Sequence, residues 1–262
     1  MILLKPSAKT RGFKRPISVE VDLLAEPILT VEGIHTLIAK HHILQGVSFA
    51  VYPGKVTVLL GRNGAGKTTT LRTIMGLFSP FQGQILFKNH PIHHRKPYEI
   101  ARLGVGFVPE DRGLFDHLTV EENFLVATLE KVKVAQQKLE TIFEIFPDLR
   151  KFWRAKAGIL SGGQKQMLAI ARPLVNNNKL LLIDEPSKGL APIIIEHLIK
   201  AMQRLKEHTM IVLVEQNFHM ASSVGDDFYM FDAGRTVHYG QMKDLMDDEA
   251  LKTKYLGISS KG

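Results

Sequence analysis

Gly61-Arg62-Asn63-Gly64-Ala65-Gly66-Lys67-Thr68 fits the pattern G-x-x-x-x-G-K-[ST] residue for residue, and it follows a short apolar run, Val56 to Leu60. Few features narrow a fold as much. Small residues let consecutive backbone N–H groups curl around a phosphate, and a helix beginning near Gly66 turns its positive dipole end toward the same anion. In such a cradle Lys67 neutralises charge on the β- and γ-phosphates, and the Thr68 hydroxyl ligates Mg²⁺. A glycine-rich turn can also join strand to helix for packing alone, but the required order of strand, loop and helix is met here.

The rest of the chain supplies the elements such a loop needs. Ile28 to Ile34 alternates as a strand, Val47 to Val51 gives another, and Tyr52-Pro53-Gly54-Lys55 makes a turn. Beyond the loop, Leu71, Ile74, Met75 and Phe78 recur at helical spacing, which predicts a helix over 67–78. From Thr119 to about Leu160 the pattern is mostly helical. Thr119 and Glu122 form a capping box there, and Leu139, Ile142, Phe143 and Phe146 stripe a second helix. A helix from Ser161 to about Val175, a buried strand at Leu180 to Ile183, a helix after Pro192 and a buried strand at Met210 to Val214 follow. Buried strands alternating with helices imply an α/β fold whose core is a mainly parallel sheet covered on both faces. Phe228 to Tyr239, bent at Asp232-Ala233-Gly234-Arg235, reads as a closing hairpin. Residues 1–27 lack periodicity, carry Lys5, Lys9, Arg11, Lys14 and Arg15, and end at Pro27, so they read as a loosely ordered basic extension. The folded domain is therefore set at 28–262, with a helical insertion at about 111–165.

Lys179-Leu180-Leu181-Leu182-Ile183-Asp184-Glu185 is an apolar strand ending in two carboxylates. In open α/β sheets ligands lie beyond the carboxyl ends of the strands, where this pair emerges. Asp184 suits a Mg²⁺ shell, and Glu185 is placed to polarise an attacking water. An Asp-Glu pair at a strand end is by itself commonplace. The upstream phosphate loop is what favours the functional reading.

Leu160-Ser161-Gly162-Gly163-Gln164 precedes another helix, with Ser161 and Gln164 as N-cap and N3 of a capping box and two glycines that strip side chains from the helix start. An anion can approach closely there. The sequence, lying just upstream of the carboxylate strand, resembles the signature motif of ABC ATPases, and the likeness spans about residues 28–257. It implies a P-loop NTPase of the ABC type, with an antiparallel β subdomain and a helical subdomain beside the parallel core. It also implies that ATP and Mg²⁺ are bound by Gly61, Arg62, Asn63, Gly64, Ala65, Gly66, Lys67, Thr68 and Thr69, and that two ATPase domains meet head to tail. Ser161, Gly162, Gly163 and Gln164 would then cap the nucleotide of the partner. ATP-driven closure of such a pair powers conformational change in transmembrane permeases.

Val108-Pro109-Glu110-Asp111-Arg112-Gly113-Leu114-Phe115, Ser187-Lys188-Gly189-Leu190-Ala191-Pro192 and Val214-Glu215-Gln216-Asn217 resemble segments of the ATPases of branched-chain amino acid importers. Such importers act with an extracytoplasmic binding protein and pair with a second, often different, ATPase; urea importers and lipid or lipopolysaccharide exporters have similar motors. Two positions depart from the wider family. Gln216 stands where most ABC ATPases have a γ-phosphate-contacting histidine, and an amide donates a hydrogen bond but carries no charge. His219, one turn on, is the alternative. Ile38 takes the place of the adenine-stacking aromatic, with His41 and His42 as nearby stacking candidates. Glu110, at the position of the usual glutamine, is a candidate Mg²⁺ ligand with one more negative charge; a plain loop carboxylate at a subdomain hinge is the competing reading.

Composition adds bounds. The apolar runs fall far short of the roughly 18 residues a membrane-spanning helix needs, and the opening Met1-Ile2-Leu3-Leu4 is cut off by Lys5-Pro6, too short for a secretory signal. A cytoplasmic chain, peripheral on the inner face of the membrane, is expected. The formal charge of +8 allows an anionic partner, but no dense basic stripe points to nucleic acid, and none is expected. His90, His93 and His94 sit between Pro91 and Pro97 without nearby carboxylates, which reads as a hydrated loop rather than a metal site.

Overall fold

Val56–Leu60 is buried along its whole length, as only a central strand covered on both faces can be. The computed structural model describes residues 26–129 and 132–257; the basic cluster at the start of the chain lies outside them. In chain order the elements are β1 (Leu29–Ile38), β2 (His41–Val51), β3 (Val56–Leu60), α1 (Lys67–Ile74), β4 (Gln82–Phe87), β5 (His90–Pro91), α2 (Pro97–Arg102), β6 (Val105–Val108), α3 (Val120–Ala127), α4 (Val132–Ile145), α5 (Pro147–Lys151) and α6 (Gly162–Ala171). There follow β7 (Leu180–Asp184), α7 (Pro192–Leu205), β8 (Met210–Val214), α8 (Phe218–Val224), β9 (Asp227–Asp232), β10 (Arg235–Gln241), α9 (Met242–Asp247) and α10 (Glu249–Leu256).

The strands form two sheets. The larger runs β10-β9-β3-β8-β7-β6, parallel from β9 to β6 with β10 antiparallel at the edge. The smaller, β2-β1-β4-β5, is antiparallel throughout. The mainly parallel core and the antiparallel β layer expected from the sequence are both present. Alternation along the parallel strands divides the core: Val58, Ile183 and Leu213 join one apolar cluster with α6 and α7. Leu59, Leu182, Val212 and Val214 join the other with α1 and the antiparallel sheet.

Both capping boxes form. The Thr119 hydroxyl accepts from the Glu122 amide at 3.1 Å while the Glu122 carboxylate accepts from the Thr119 amide at 2.7 Å, and Ser161 and Gln164 repeat the exchange at 3.3 and 3.0 Å. The predicted helix over 67–78 stops short, at Ile74. Gly76 ends it: its φ is +71°, and a Cβ there would lie 2.5 Å from the Arg95 carbonyl oxygen. Phe78 was counted from its spacing alone, which carries no information about that turn.

The register decides where a ligand can bind. Leu59 pairs with Val214 and Val214 with Asp184, so the carboxyl ends of β3, β8 and β7 are level and adjacent. The loops that leave them, 61–66, 215–217 and 185–191, converge at one edge of the sheet.

Candidate functional site

The phosphate loop is shaped by backbone that only glycine tolerates. Gly61 has φ +145°, and a Cβ on it would meet the Phe231 carbonyl oxygen at 2.3 Å. Gly66, at φ +102°, opens α1, whose first turn holds no acidic residue and no side-chain cap. The amides at that helix start are left for an anion. Lys67 is folded back into the loop, donating to the carbonyls of Gly61 at 2.7 Å and Arg62 at 3.1 Å, with its ammonium 4.0 Å from Glu185. Burial lowers its pKa against the pull of Glu185 and Asp184.

Thr68 donates its hydroxyl to Asp184 Oδ1 at 3.0 Å. The other oxygen, Oδ2, is buried without a partner. Burial, only partly offset by the Thr68 hydrogen bond, pushes the Asp184 carboxyl up to about 6. A buried acceptor with no donor, beside a hydroxyl, is what a hard cation with oxygen ligands relieves, so Thr68 and Asp184 fit Mg²⁺. Glu110, the third expected ligand, accepts from Lys188 at 2.5 Å, and its charge adds to the raising of the Asp184 carboxyl. Lys188 also reaches within 3.7 Å of Glu185.

Glu185 has a left-handed φ of +45°, a strained backbone for a side chain of its size, and its amide donates to the Val214 carbonyl at 2.9 Å. Its carboxylate receives the Gln216 amide N–H at 2.5 Å, and the same Gln216 nitrogen donates to Asn63 of the phosphate loop. The structure thus gathers Lys67, Thr68, Asp184, Glu185, Gln216 and Asn63 around one point. His219 is not among them; its ring pairs with Glu196 on α7 at 2.6 Å.

The Ser161 helix tip takes no part in these contacts. Among the described residues no hydrogen bond or ion pair joins 161–164 to the phosphate loop. Ser161 and Gly162 are exposed, whereas Gly163 is buried. A Cβ on Gly163 would lie 2.6 Å from the Ile194 side chain. The second glycine is therefore required for packing against α7, and only the first clears surface for an anion.

Ile38 is half-buried at the end of β1 and His41 is exposed. His42 has a partner already, His35 at 3.0 Å, and both rings lie against Phe81. His93 packs edge-on to His94 and hydrogen-bonds the Ile85 backbone; no metal-holding group of three or more His, Asp or Glu exists among the described residues.

Sequence reasoning overlooked Glu215. It is 1% exposed and accepts four hydrogen bonds: from the Ser187 amide at 2.9 Å and hydroxyl at 2.8 Å, and from the amides of Gln216 and Asn217, both at 3.1 Å. Burial raises its pKa, opposed by those donors. An apolar strand ending in a carboxylate, as β7 does, was the available signal.

The ABC transporter family model matches residues 44–188, more than half of the chain. The chain belongs to the ABC transporter ATPase family. It is 36% identical to the high-affinity branched-chain amino acid transport ATP-binding protein BraG of Pseudomonas aeruginosa, over 88% of this chain and 100% of the relative. It is 35% identical to the probable branched-chain amino acid transport ATP-binding protein LivF of Archaeoglobus fulgidus, over 83% and 93%. The lipopolysaccharide export ATP-binding protein LptB of Haemophilus influenzae is similar too, at 32% over 88% and 97%. Among solved structures, an ABC transporter ATP-binding cassette in its ADP conformation superposes with a TM-score of 0.77 at 26% identity, covering 89% of this chain and 100% of that one. This ABC ATPase binds and hydrolyses ATP as the ATP-binding subunit of a transporter, and such subunits dimerise and work with transmembrane permease subunits. No helix among the described residues is long and apolar enough to cross a membrane.

Proposed function

We propose that this ABC ATPase drives an importer of branched-chain amino acids from the inner face of the membrane, as half of a head-to-tail pair. The observation that carries the pairing is that the exposed Ser161 helix tip makes no hydrogen bond or ion pair with the chain's own phosphate loop among the described residues; a partner turned head to tail would bring such a tip to each loop. The cargo rests on the likeness to BraG and LivF over nearly their full lengths. An extracytoplasmic binding protein would deliver it.

Within the site, the Gly61 to Thr69 backbone and Lys67 hold the triphosphate; nucleotide entry draws the Lys67 ammonium off the Gly61 and Arg62 carbonyls and onto the β- and γ-phosphates. Thr68 and Asp184 hold Mg²⁺, which when bound neutralises charge between those phosphates. Glu185 accepts a hydrogen bond from the attacking water and orients it, while Gln216 donates to the γ-phosphate as an uncharged contact. Ser161, Gly162 and Gln164 cap the partner's nucleotide. Glu110, tied to Lys188, acts through that ion pair and not as a free ligand.

A groove of about 400 Å³ between α2, β6 and α3 is lined by Met75, Phe107, Phe115, Val126, Leu129 and Arg172, and Phe115, Val126 and Leu129 are each about half exposed. An apolar cytoplasmic helix of a permease fits it.

LptB favours a second reading, an exporter motor. The deciding experiment is uptake of labelled leucine by cells lacking this protein. Restoration by the parent and not by Glu185→Gln or Lys67→Ala supports import; normal uptake without the protein refutes it. If both variants hydrolyse ATP like the parent, the residue roles are wrong.

A further inference from the structure

We propose that Glu215 is a positioning residue: its buried carboxylate clasps the loop after β7 to the loop after β8 and so fixes the distance between Glu185 and Gln216. The inference rests on the roles proposed above for those two residues and adds one that touches neither nucleotide nor water.

The clasp has two sides. Oε1 takes the Ser187 amide, and Oε2 takes the Ser187 hydroxyl together with the amides of Gln216 and Asn217. Ser187 lies two residues after Glu185, and Gln216 immediately follows Glu215. The carboxylate thus receives donors from both loops, and nothing but donors. Beyond the Glu185 amide on the Val214 carbonyl at the end of β8, the tips of the loops meet through flexible side chains, the Gln216 amide on the Glu185 carboxylate. At their bases a charge-accepting group holds them. Ser187 is buried, so water cannot readily replace its partner.

A glutamine cannot repeat this pattern. If its carbonyl oxygen takes the three-donor position, its –NH₂ faces the Ser187 N–H; if reversed, the –NH₂ faces three donors. Either way the two loops separate, and Gln216 no longer shares one position between Glu185 and Asn63. Displacement of a positioned group by an ångström lowers rates by about 10²-fold.

The measurements are steady-state ATPase kinetics, ATP affinity and thermal denaturation of Glu215→Gln, Ser187→Ala and Ser187→Thr. Glu215→Gln should lower kcat by about 10²-fold with KM and ATP affinity changed by less than about threefold, since the Gly61–Thr68 backbone cradle and Lys67 keep their own contacts. Ser187→Ala, which removes one donor of four, should lower kcat less, and Ser187→Thr, which keeps the hydroxyl, should restore it. Combined with Glu215→Gln, Ser187→Ala should add little, because both break one contact. Parental kcat in a folded Glu215→Gln protein overturns the proposal. So does a loss of kcat that tracks a fall in melting temperature and in ATP affinity across all three variants, since that marks a general loss of structure. Should Glu215→Gln fail to fold, Ser187→Ala at parental kcat overturns the proposal by itself. Glu185→Gln assayed alongside separates the two levels: if it stays active, the roles assigned to the site fail; if it is dead while the Glu215 and Ser187 variants are normal, only the clasp fails.

Discussion

Asp184→Asn in nucleotide-free protein, with Mg²⁺ removed by a chelator, isolates the most loaded group in the site. Asp184 is fully buried with Oδ2 unpartnered, and its carboxyl is raised from 3.8 to about 6. The native state therefore holds that proton more tightly than the unfolded chain does. The stability this contributes is fully present below the unfolded value and is lost as pH rises through the folded one. Relative to a residue that does not titrate, integrating between the two values gives a loss of about 1.6 kcal/mol by about pH 5 and about 3 kcal/mol by about pH 8. Asparagine keeps an acceptor for Thr68 and has no charge to desolvate, and its unpaired –NH₂ adds an offset that does not vary with pH. The stability of Asp184→Asn minus that of the parent should thus grow by about 1.4 kcal/mol between about pH 5 and pH 8. For a chain of this size that is a relative gain of about 3–6 °C in melting temperature, and it should level off at higher pH. Differential scanning calorimetry at stepped pH reads it. A difference independent of pH over that range refutes the desolvated carboxylate. With ATP and Mg²⁺ the difference should shift in favour of the parent, because the parent gains ligand stabilisation that the variant lacks.

Three further expectations follow from other contacts. Gly61→Ala places a Cβ 2.3 Å from the Phe231 carbonyl oxygen at a φ of +145°, so it should lose about 2 kcal/mol or more of stability together with ATP binding; a normal melting temperature contradicts the close approach. Thr119→Ala removes the cap of α3 and should cost about 1 kcal/mol in denaturant unfolding while leaving ATP affinity unchanged. Lys188→Gln removes the cation shared by Glu110 and Glu185; the Mg²⁺ concentration for half-maximal turnover should fall, because a neutralising positive charge is lost beside the site, and an unchanged value contradicts that coupling.

What the sequence made readable was local and short-ranged. The loop over 61–68, the strand leading to Asp184 and the capping box at Ser161 each declare themselves within a few residues, because small residues, apolar runs and caps act on neighbouring backbone. The end of α1 is not legible from periodicity, which runs over Leu71 to Phe78 and past Gly76, whose left-handed backbone and lack of room for a Cβ beside the Arg95 carbonyl stop the helix. Gly163 looked like Gly162 in the sequence, and only packing against Ile194 shows that its glycine serves α7. The ion pair of Glu110, a candidate Mg²⁺ ligand or a hinge carboxylate in the sequence, is not legible there because Lys188 lies 78 positions away. The clasp at Glu215 was missed for the same reason, its hydroxyl donor being 28 positions upstream. Contacts of that range arise from the order of strands in the sheet, which spacing does not reveal.

In the proposed pair one triphosphate is held from two sides, by the Lys67 loop of one chain and the Ser161 helix tip of another. The test is light scattering on the Glu185→Gln protein with ATP and Mg²⁺, alone and with permease subunits added. The mass should rise to that of two ATPase chains on adding ATP and should fail to rise when Ser161→Glu is introduced, although ATP still binds. A Glu185→Gln protein that binds ATP and stays at the mass of one chain, with the permeases present as well as absent, contradicts it.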